Sequence, residues 1–210
     1  MNQLATKSRK IHSADKYQKI IDAATSVFAE RGFHAAKIAD IAKIAQVADG
    51  TIYLYFKSKD DLLISVFEYS IDLFIQTVEQ GLRGLSSPIE KLKYFIDIYL
   101  RLIKKHPELA QVIQLELRQS SKFLKEYTHT KFFTFLALVA AIVEEGQAQK
   151  LFRADLNPQI IRRALFGAVD EIALEWLLMK KKKYPIEEAA AQLSAIFIEG
   201  LLSRQPSVNP

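Results

Sequence analysis

The apolar residues Ile38, Ile41, Ala42 and Ala45 recur at helical spacing, and only Gln46 and Val47 separate them from the stretch ADGTIYLYF, residues 48–56. That two-residue spacer constrains the fold more than any other feature. Thr51 to Phe56 are β-branched, aliphatic or aromatic, which by propensity suits a strand. A strand needs a partner, however, and both flanks read as helix. Upstream, Tyr17, Ile20, Ile21, Ala24, Val27 and Phe28 form one apolar helical face, ended by Gly32 where a left-handed cap residue belongs. Downstream, Ser58-Lys-Asp-Asp61 has the form of a capping box that opens another helix. Residues 48–56 are therefore expected to be a third short helix, with Ile52, Phe56 and Val47 turned inward.

The rest of the chain reads the same way. Gly (7) and Pro (6) are scarce for 210 residues, which argues against a turn-rich all-β fold and against low-complexity disorder; the expected class is all-α. Leu63, Phe67, Ile71, Phe74 and Val78 mark a helix from Ser58 to about Gln80, and GLRGLSSP breaks it. Ser87-Pro88-Ile-Glu90 places an N-cap, a proline at the first helical position and an acid at the third. Further helices are expected at 88–105, 108–119, 122–148, 158–181 (capped by Asn157) and 186–203, about nine in all. There is no Cys, so disulfides, thiolate metal sites and cysteine nucleophiles are excluded, which fits a reducing cytosol. Met1 to Asp15 carries no apolar core of a signal peptide, and the longest apolar run, Phe132 to Val143, is too short to span a bilayer. The expected location is cytoplasmic, with no membrane partner.

The net charge of +5 is uneven: residues 1–60 hold ten Lys/Arg against six acids, and the remaining residues 19 against 18. A basic excess in the first third is what a part that meets polyanion requires. Two short helices joined by a tight turn and braced by a longer one make a helix-turn-helix, here residues 37–56, whose second helix can enter the DNA major groove. Gly50 allows close backbone approach, and Thr51 and Tyr55 present hydroxyls on one flank and Tyr53 on the other. Leu54 lies between the flanks, able to meet a thymine methyl. Lys37, Lys57 and Lys59 surround this face. Periodicity turns the two tyrosines away from the core without choosing between solvent and DNA.

Residues 20–63, and above all the core G-T-x-Y-x-Y-F-x-S-K at Gly50 to Lys59, closely resemble the DNA-binding domain of TetR-type transcriptional regulators. The resemblance implies that Thr51, Tyr53, Tyr55 and Lys59 contact DNA, mostly its backbone. Two positions depart from the pattern: Ala36 and Lys37 stand where a Thr or Ser usually caps the second helix, and Gln46 stands where the turn usually has Gly. The organisation that follows is a basic disordered arm at 1–13, a DNA-binding domain at 14–74, and a ligand-binding and dimerisation domain at 75–210.

In the larger part, Phe67, Ile71, Phe74, Tyr94, Phe133 and Phe166 are candidates for an apolar ligand site, although aromatic stripes are more often core. Gln114 and Arg118 lie one turn apart on a helix that otherwise carries Val112, Ile113, Leu115 and Leu117. A buried Arg needs an anionic partner. Asp170 or Glu171 would supply one internally, and a phosphate of a ligand is the other possibility. QVIQLELRQSS together with ALFGAVDEIALEWLLMKKKKYP, residues 164–185, is similar to the regulatory domain of FadR-type TetR repressors of fatty-acid degradation. That resemblance implies a repressor whose hold on a palindromic double-stranded operator is relieved by a long-chain acyl-CoA. A drug or a free fatty acid is the alternative effector. It further implies a homodimer paired through the last two helices, with Gly167 and Ala168 allowing close approach and Trp176 as an anchor.

No G-x-G-x-x-G, P-loop, G-x-S-x-G or H-E-x-x-H occurs, and His12, His34, His106 and His129 are scattered. Glu126-x-x-His129 is a single E-x-x-H where a di-metal bundle uses two. No catalytic residue, metal site or cofactor is expected.

Overall fold

The computed structural model describes residues 2–117, 120, 122–123 and 130–203, with only the backbone of 2–13 and 130. The described residues form nine α-helices and no strand: α1 Asn2–Ala35, α2 Ile38–Ala45, α3 Asp49–Tyr53, α4 Lys59–Leu82, α5 Pro88–Lys105, α6 Pro107–Gln111, α7 Thr130–Ala148, α8 Pro158–Leu178 and α9 Ile186–Leu201. A π-helix, Val112–Glu116, continues α6. The expected all-α class holds. The chain divides into two compact units: residues 1–70 with 107–128, and residues 71–106 with 129–210.

In the first unit, α1 buries Ile20, Ile21, Ala24, Val27 and Phe28, the face its 3.6-residue spacing marks out. They meet Ile41, Ala42 and Ala45 of α2, Ile52 and Phe56 around α3, and Leu62, Leu63 and Val66 of α4 in a common core. Val47 is only half-buried, against the inward place expected for it. The arm expected to be disordered is instead continuous with α1, whose backbone is helical from Asn2; no Gly or Pro interrupts 2–31. Gly32 does break the helix, at φ 74° and ψ 159°, a region that only glycine adopts without strain.

The discontinuous boundary is the main departure from the expected single cut at 74/75. Residues 107–117, expected in the ligand-binding domain, pack instead on α1. Gln111 donates to the Ala29 carbonyl at 2.8 Å, and the Ser26 hydroxyl donates to Glu108 at 2.7 Å.

In the second unit α9 packs chiefly on α5, and α7 on α8. Lys91 of α5 pairs with Glu145 of α7 at 2.7 Å, Lys131 of α7 with Asp72 of α4 at 2.7 Å, and Lys104 of α5 with Glu187 of α9 at 2.7 Å. The Lys104 ammonium beside it holds the Glu187 carboxyl below the usual range. Two helix starts follow their sequence signals differently. The Asn157 side chain accepts from the Gln159 N–H at 2.8 Å with Pro158 in the first turn, whereas Ser87 makes no side-chain cap bond and Pro88 alone marks the start of α5. No described helix is long and apolar enough to cross a membrane.

Candidate nucleic-acid interface and effector core

The stretch 48–56 folds as the short helix α3 and a following turn, not as a strand. Its geometry follows from two anchors: Ile52 and Phe56, four residues apart, are both buried, and the Phe56 N–H returns to the Ile52 carbonyl at 3.0 Å. What remains is turned out. Tyr53 is 57% exposed and Leu54 82%, with Gly50, Lys37 and Lys57 exposed beside them. Thr51 and Tyr55 are half-buried, and the Tyr55 ring stands edge-on to Tyr17 of α1 at 6.3 Å. Ile44 of α2 is 51% exposed, an apolar side chain that lies off the helical pattern of its neighbours.

The two departures from the usual pattern have structural counterparts. Lys37 sits at the N-cap of α2 in extended conformation without a side-chain cap bond, and Arg31 reaches Asp40 in the first turn at 2.6 Å instead. Gln46 adopts the left-handed conformation, φ 57° and ψ 44°, that glycine takes more readily. The capping box at Ser58 is offset by one residue: the Ser58 hydroxyl accepts from the Asp61 N–H at 3.1 Å, and Asp61 accepts from the Lys57 N–H at 2.8 Å.

Lys59 is placed otherwise than its position in the motif suggests. Its ammonium donates to the carbonyls of Phe33, His34 and Ala36 at 2.7, 3.1 and 3.1 Å, and lies 4.7 Å from the Phe33 ring centroid. An ammonium has three protons, and in this conformation each has a carbonyl, so none is left for a phosphate. On the other side of the same corner, the buried Glu116 accepts from the Phe33 N–H at 2.6 Å. Neither role is signalled in the linear sequence, because both depend on the break at Gly32.

The candidate ligand residues divide between the units. Phe67 and Gln114 are buried in the first, and the Phe67 ring stands 5.2 Å from that of Phe123. In the second unit Phe74 and Phe166 belong to an aromatic cluster with Phe95, Tyr99, Phe132 and Phe135, drawn from α4, α5, α7 and α8. Its ring centroids are 4.9–6.3 Å apart, edge to face for the most part. Ile71 is buried, while Phe133 is exposed, with the Arg163 guanidinium 5.9 Å from its ring and 5.8 Å from that of Phe132. Tyr94 stands apart from this cluster, since its hydroxyl donates to the Thr77 carbonyl at 3.2 Å and its ring lies on Gly81, where a Cβ would come within 2.0 Å of it. Arg118, Glu126 and His129 lie outside the described residues. Asp170, one of the two acids offered as an internal partner for Arg118, accepts from the Tyr99 hydroxyl at 2.9 Å. Among the described residues no group of His, Asp and Glu could hold a metal.

At the end of α8, Trp176 donates to the Tyr184 carbonyl at 3.3 Å, and Lys182 lies 4.1 Å from the Trp176 ring while bonding the Trp176 and Leu177 carbonyls. One lysine of the basic run thus satisfies the last turn of the helix. Burial, with the Glu175 carboxylate beside it, pushes the Tyr184 phenol above its ordinary pKa.

The family follows from comparison. The model of bacterial regulatory proteins of the tetR family matches residues 20–66, and that of the YsiA-like protein C-terminal region matches 67–200. The chain belongs to the tetR family. It is therefore a TetR-type transcriptional regulator rather than an enzyme. It is similar to the fatty acid metabolism regulator protein of Bacillus subtilis (strain 168), 36% identical over 186 residues, covering 89% of this chain and 95% of that one. It also resembles the structure of the fatty acid degradation regulator FadR from Bacillus halodurans, with a TM-score of 0.81, 36% identity, and 88% and 99% of the two chains covered. The structure of FadR from Bacillus subtilis in complex with stearoyl-CoA gives 0.81, 36%, 88% and 98%.

Proposed function

We propose that this TetR-type regulator is a homodimeric repressor, released from a palindromic operator by a long-chain acyl-CoA. The observation that carries the reading is the similarity, over nearly the whole chain, to a FadR crystallised with stearoyl-CoA. The aromatic cluster of the second unit is consistent with it, since apolar side chains drawn from four helices are what an acyl chain needs around it.

DNA contacts are assigned to the exposed Lys37, Gly50, Tyr53, Leu54 and Lys57 around α3, together with the half-buried Thr51 and Tyr55. The dimer is assigned to α8 and α9. Ile160 on α8 is 66% exposed and Ile196 on α9 64%, and nothing lies within 4 Å of a Cβ built on the exposed Gly167. Unpartnered apolar and small residues on neighbouring helices suit an isologous interface. The two reading helices would then be set roughly 34 Å apart, one DNA turn. Acyl-CoA acts by binding better to a conformer with a different spacing, because only differential affinity shifts such an equilibrium. Helix α4, which begins in the first unit and ends in the second, is a continuous helical connection between them, one of three places where the chain passes from one unit to the other.

Titrating the operator complex with stearoyl-CoA, stearate and CoA separately tests the reading. Release by the thioester alone is expected. Release by stearate at equal concentration would replace acyl-CoA with a free fatty acid, and release by none of them would leave some other hydrophobic effector.

A further inference from the structure

The short corner between α1 and α2 sets the direction from which the reading helices leave the long helix, yet it has little backbone structure of its own. Gly32 breaks the helix, and outside the helices the corner's backbone bonds are the Ala36 N–H returning to the Gly32 carbonyl at 3.1 Å and the Lys37 carbonyl accepting from Asp40 and Ile41 as α2 begins. The carbonyls of Phe33, His34 and Ala36 accept no backbone N–H from outside the helices. Two charged side chains distant in sequence bond this backbone instead. Glu116 accepts from the Phe33 N–H, and Lys59 donates to all three carbonyls.

We propose that Glu116 and Lys59 are positioning residues for operator binding, a clamp that holds the Gly32–Lys37 corner and through it the angle of α2 and α3. Three observations support this role. Glu116 is buried and its carboxylate lies 3.4 Å from where a Cβ on Gly32 would stand, so the glycine, the acid and the break fit one another. Glu116 closes a π-helix, an element common at functional sites, whose extra residue per turn shifts the side chains that follow. Lys59 is the first residue of α4, so the corner is fixed to that helix as well as to residues 107–117. Lys59 therefore serves DNA binding from within the protein and leaves the phosphates to its exposed neighbours.

The test uses the full-length protein and a duplex recovered by selection from a random pool, with affinities referred to the active fraction at several salt concentrations. Lys59→Met leaves the three corner carbonyls without their ammonium and Glu116→Leu leaves the buried Phe33 N–H unpaired, and each is expected to weaken binding about ten- to a hundredfold. Lys59→Met should leave the dependence of log K on log salt unchanged, and Glu116→Gln, which keeps an acceptor for Phe33, should stay within about threefold of the parent. Should Glu116→Leu fail to fold, Glu116→Gln and the salt slope of Lys59→Met still decide. A slope reduced by about one unit in Lys59→Met would make it a phosphate contact and overturn the proposal. So would unchanged affinity in Glu116→Leu, or a loss in Glu116→Gln as large as in the leucine variant.

Discussion

Replacing Gly32 by Ala forces a choice that the structure makes expensive on either branch. At φ 74° and ψ 159° an L-residue is in a conformation that costs about 1–3 kcal/mol. The added methyl itself is nearly accommodated: its nearest neighbour is Glu116 Oε2 at 3.4 Å, so backbone strain and not overlap sets the magnitude. The alternative is to let α1 run on through residue 32. Phe33 would then turn back into the helix, giving up the Glu116 bond and the Lys59 carbonyl contacts, and α2 would leave in another direction. With about 2–4 °C per kcal/mol for a chain of this size, the strained branch predicts a melting temperature lowered by roughly 2–12 °C with operator affinity retained by the folded fraction. The relaxed branch predicts a smaller thermal loss and a large affinity loss. Thermal unfolding followed by circular dichroism, with operator binding by fluorescence anisotropy on the same preparation, separates them. A variant unchanged in both would refute the account of this corner.

Three further outcomes follow from particular contacts. Gly81→Ala brings a methyl within 2.0 Å of the Tyr94 ring and should destabilise by about 1–3 kcal/mol in chemical unfolding, because that ring is held by its bond to Thr77. Lys37→Ala should weaken binding to all DNA sequences and lower the salt slope by about one, read from anisotropy titrations at several salt concentrations. Burial, with Lys105 beside it, lowers the pKa of His106 from its ordinary value of 6.5. The folded state therefore binds that proton less readily than the unfolded one, so its contribution is complete above about pH 6.5 and is lost as pH falls further. Denaturant midpoints measured from pH 7.5 to 5 should fall less steeply in His106→Asn.

The reading unit was legible because its signals are local. The spacing of Ile52 and Phe56, the two-residue turn and the start at Ser58 fix α3 as a helix without reference to anything distant, and the buried set follows. Propensity alone points to a strand, since it counts side chains without asking which way they face. Lys59 shows where local reading stops: a lysine in a DNA-binding motif invites a phosphate, and only the distant corner at Phe33–Ala36 shows what its ammonium holds. Glu116 was hidden for the same reason, together with the π-helix that carries it and the return of residues 107–117 to the first unit. In the second unit periodicity found Phe74 and Phe166 but not that Phe95, Tyr99, Phe132 and Phe135 complete their cluster, nor that Tyr94 serves as a spacer over Gly81. Which aromatics share a core depends on how four helices pack, and that is not written in any one of them.

The central claim is that operator and acyl-CoA oppose each other through one protein equilibrium, and linkage makes it testable from the ligand's side. If acyl-CoA weakens operator binding by some factor, operator must weaken acyl-CoA binding by the same factor. Calorimetric titration of stearoyl-CoA into the free protein and into its saturated operator complex measures this directly. The account predicts weaker binding to the complex, by the factor seen in operator release; equal affinity in the two titrations would contradict it.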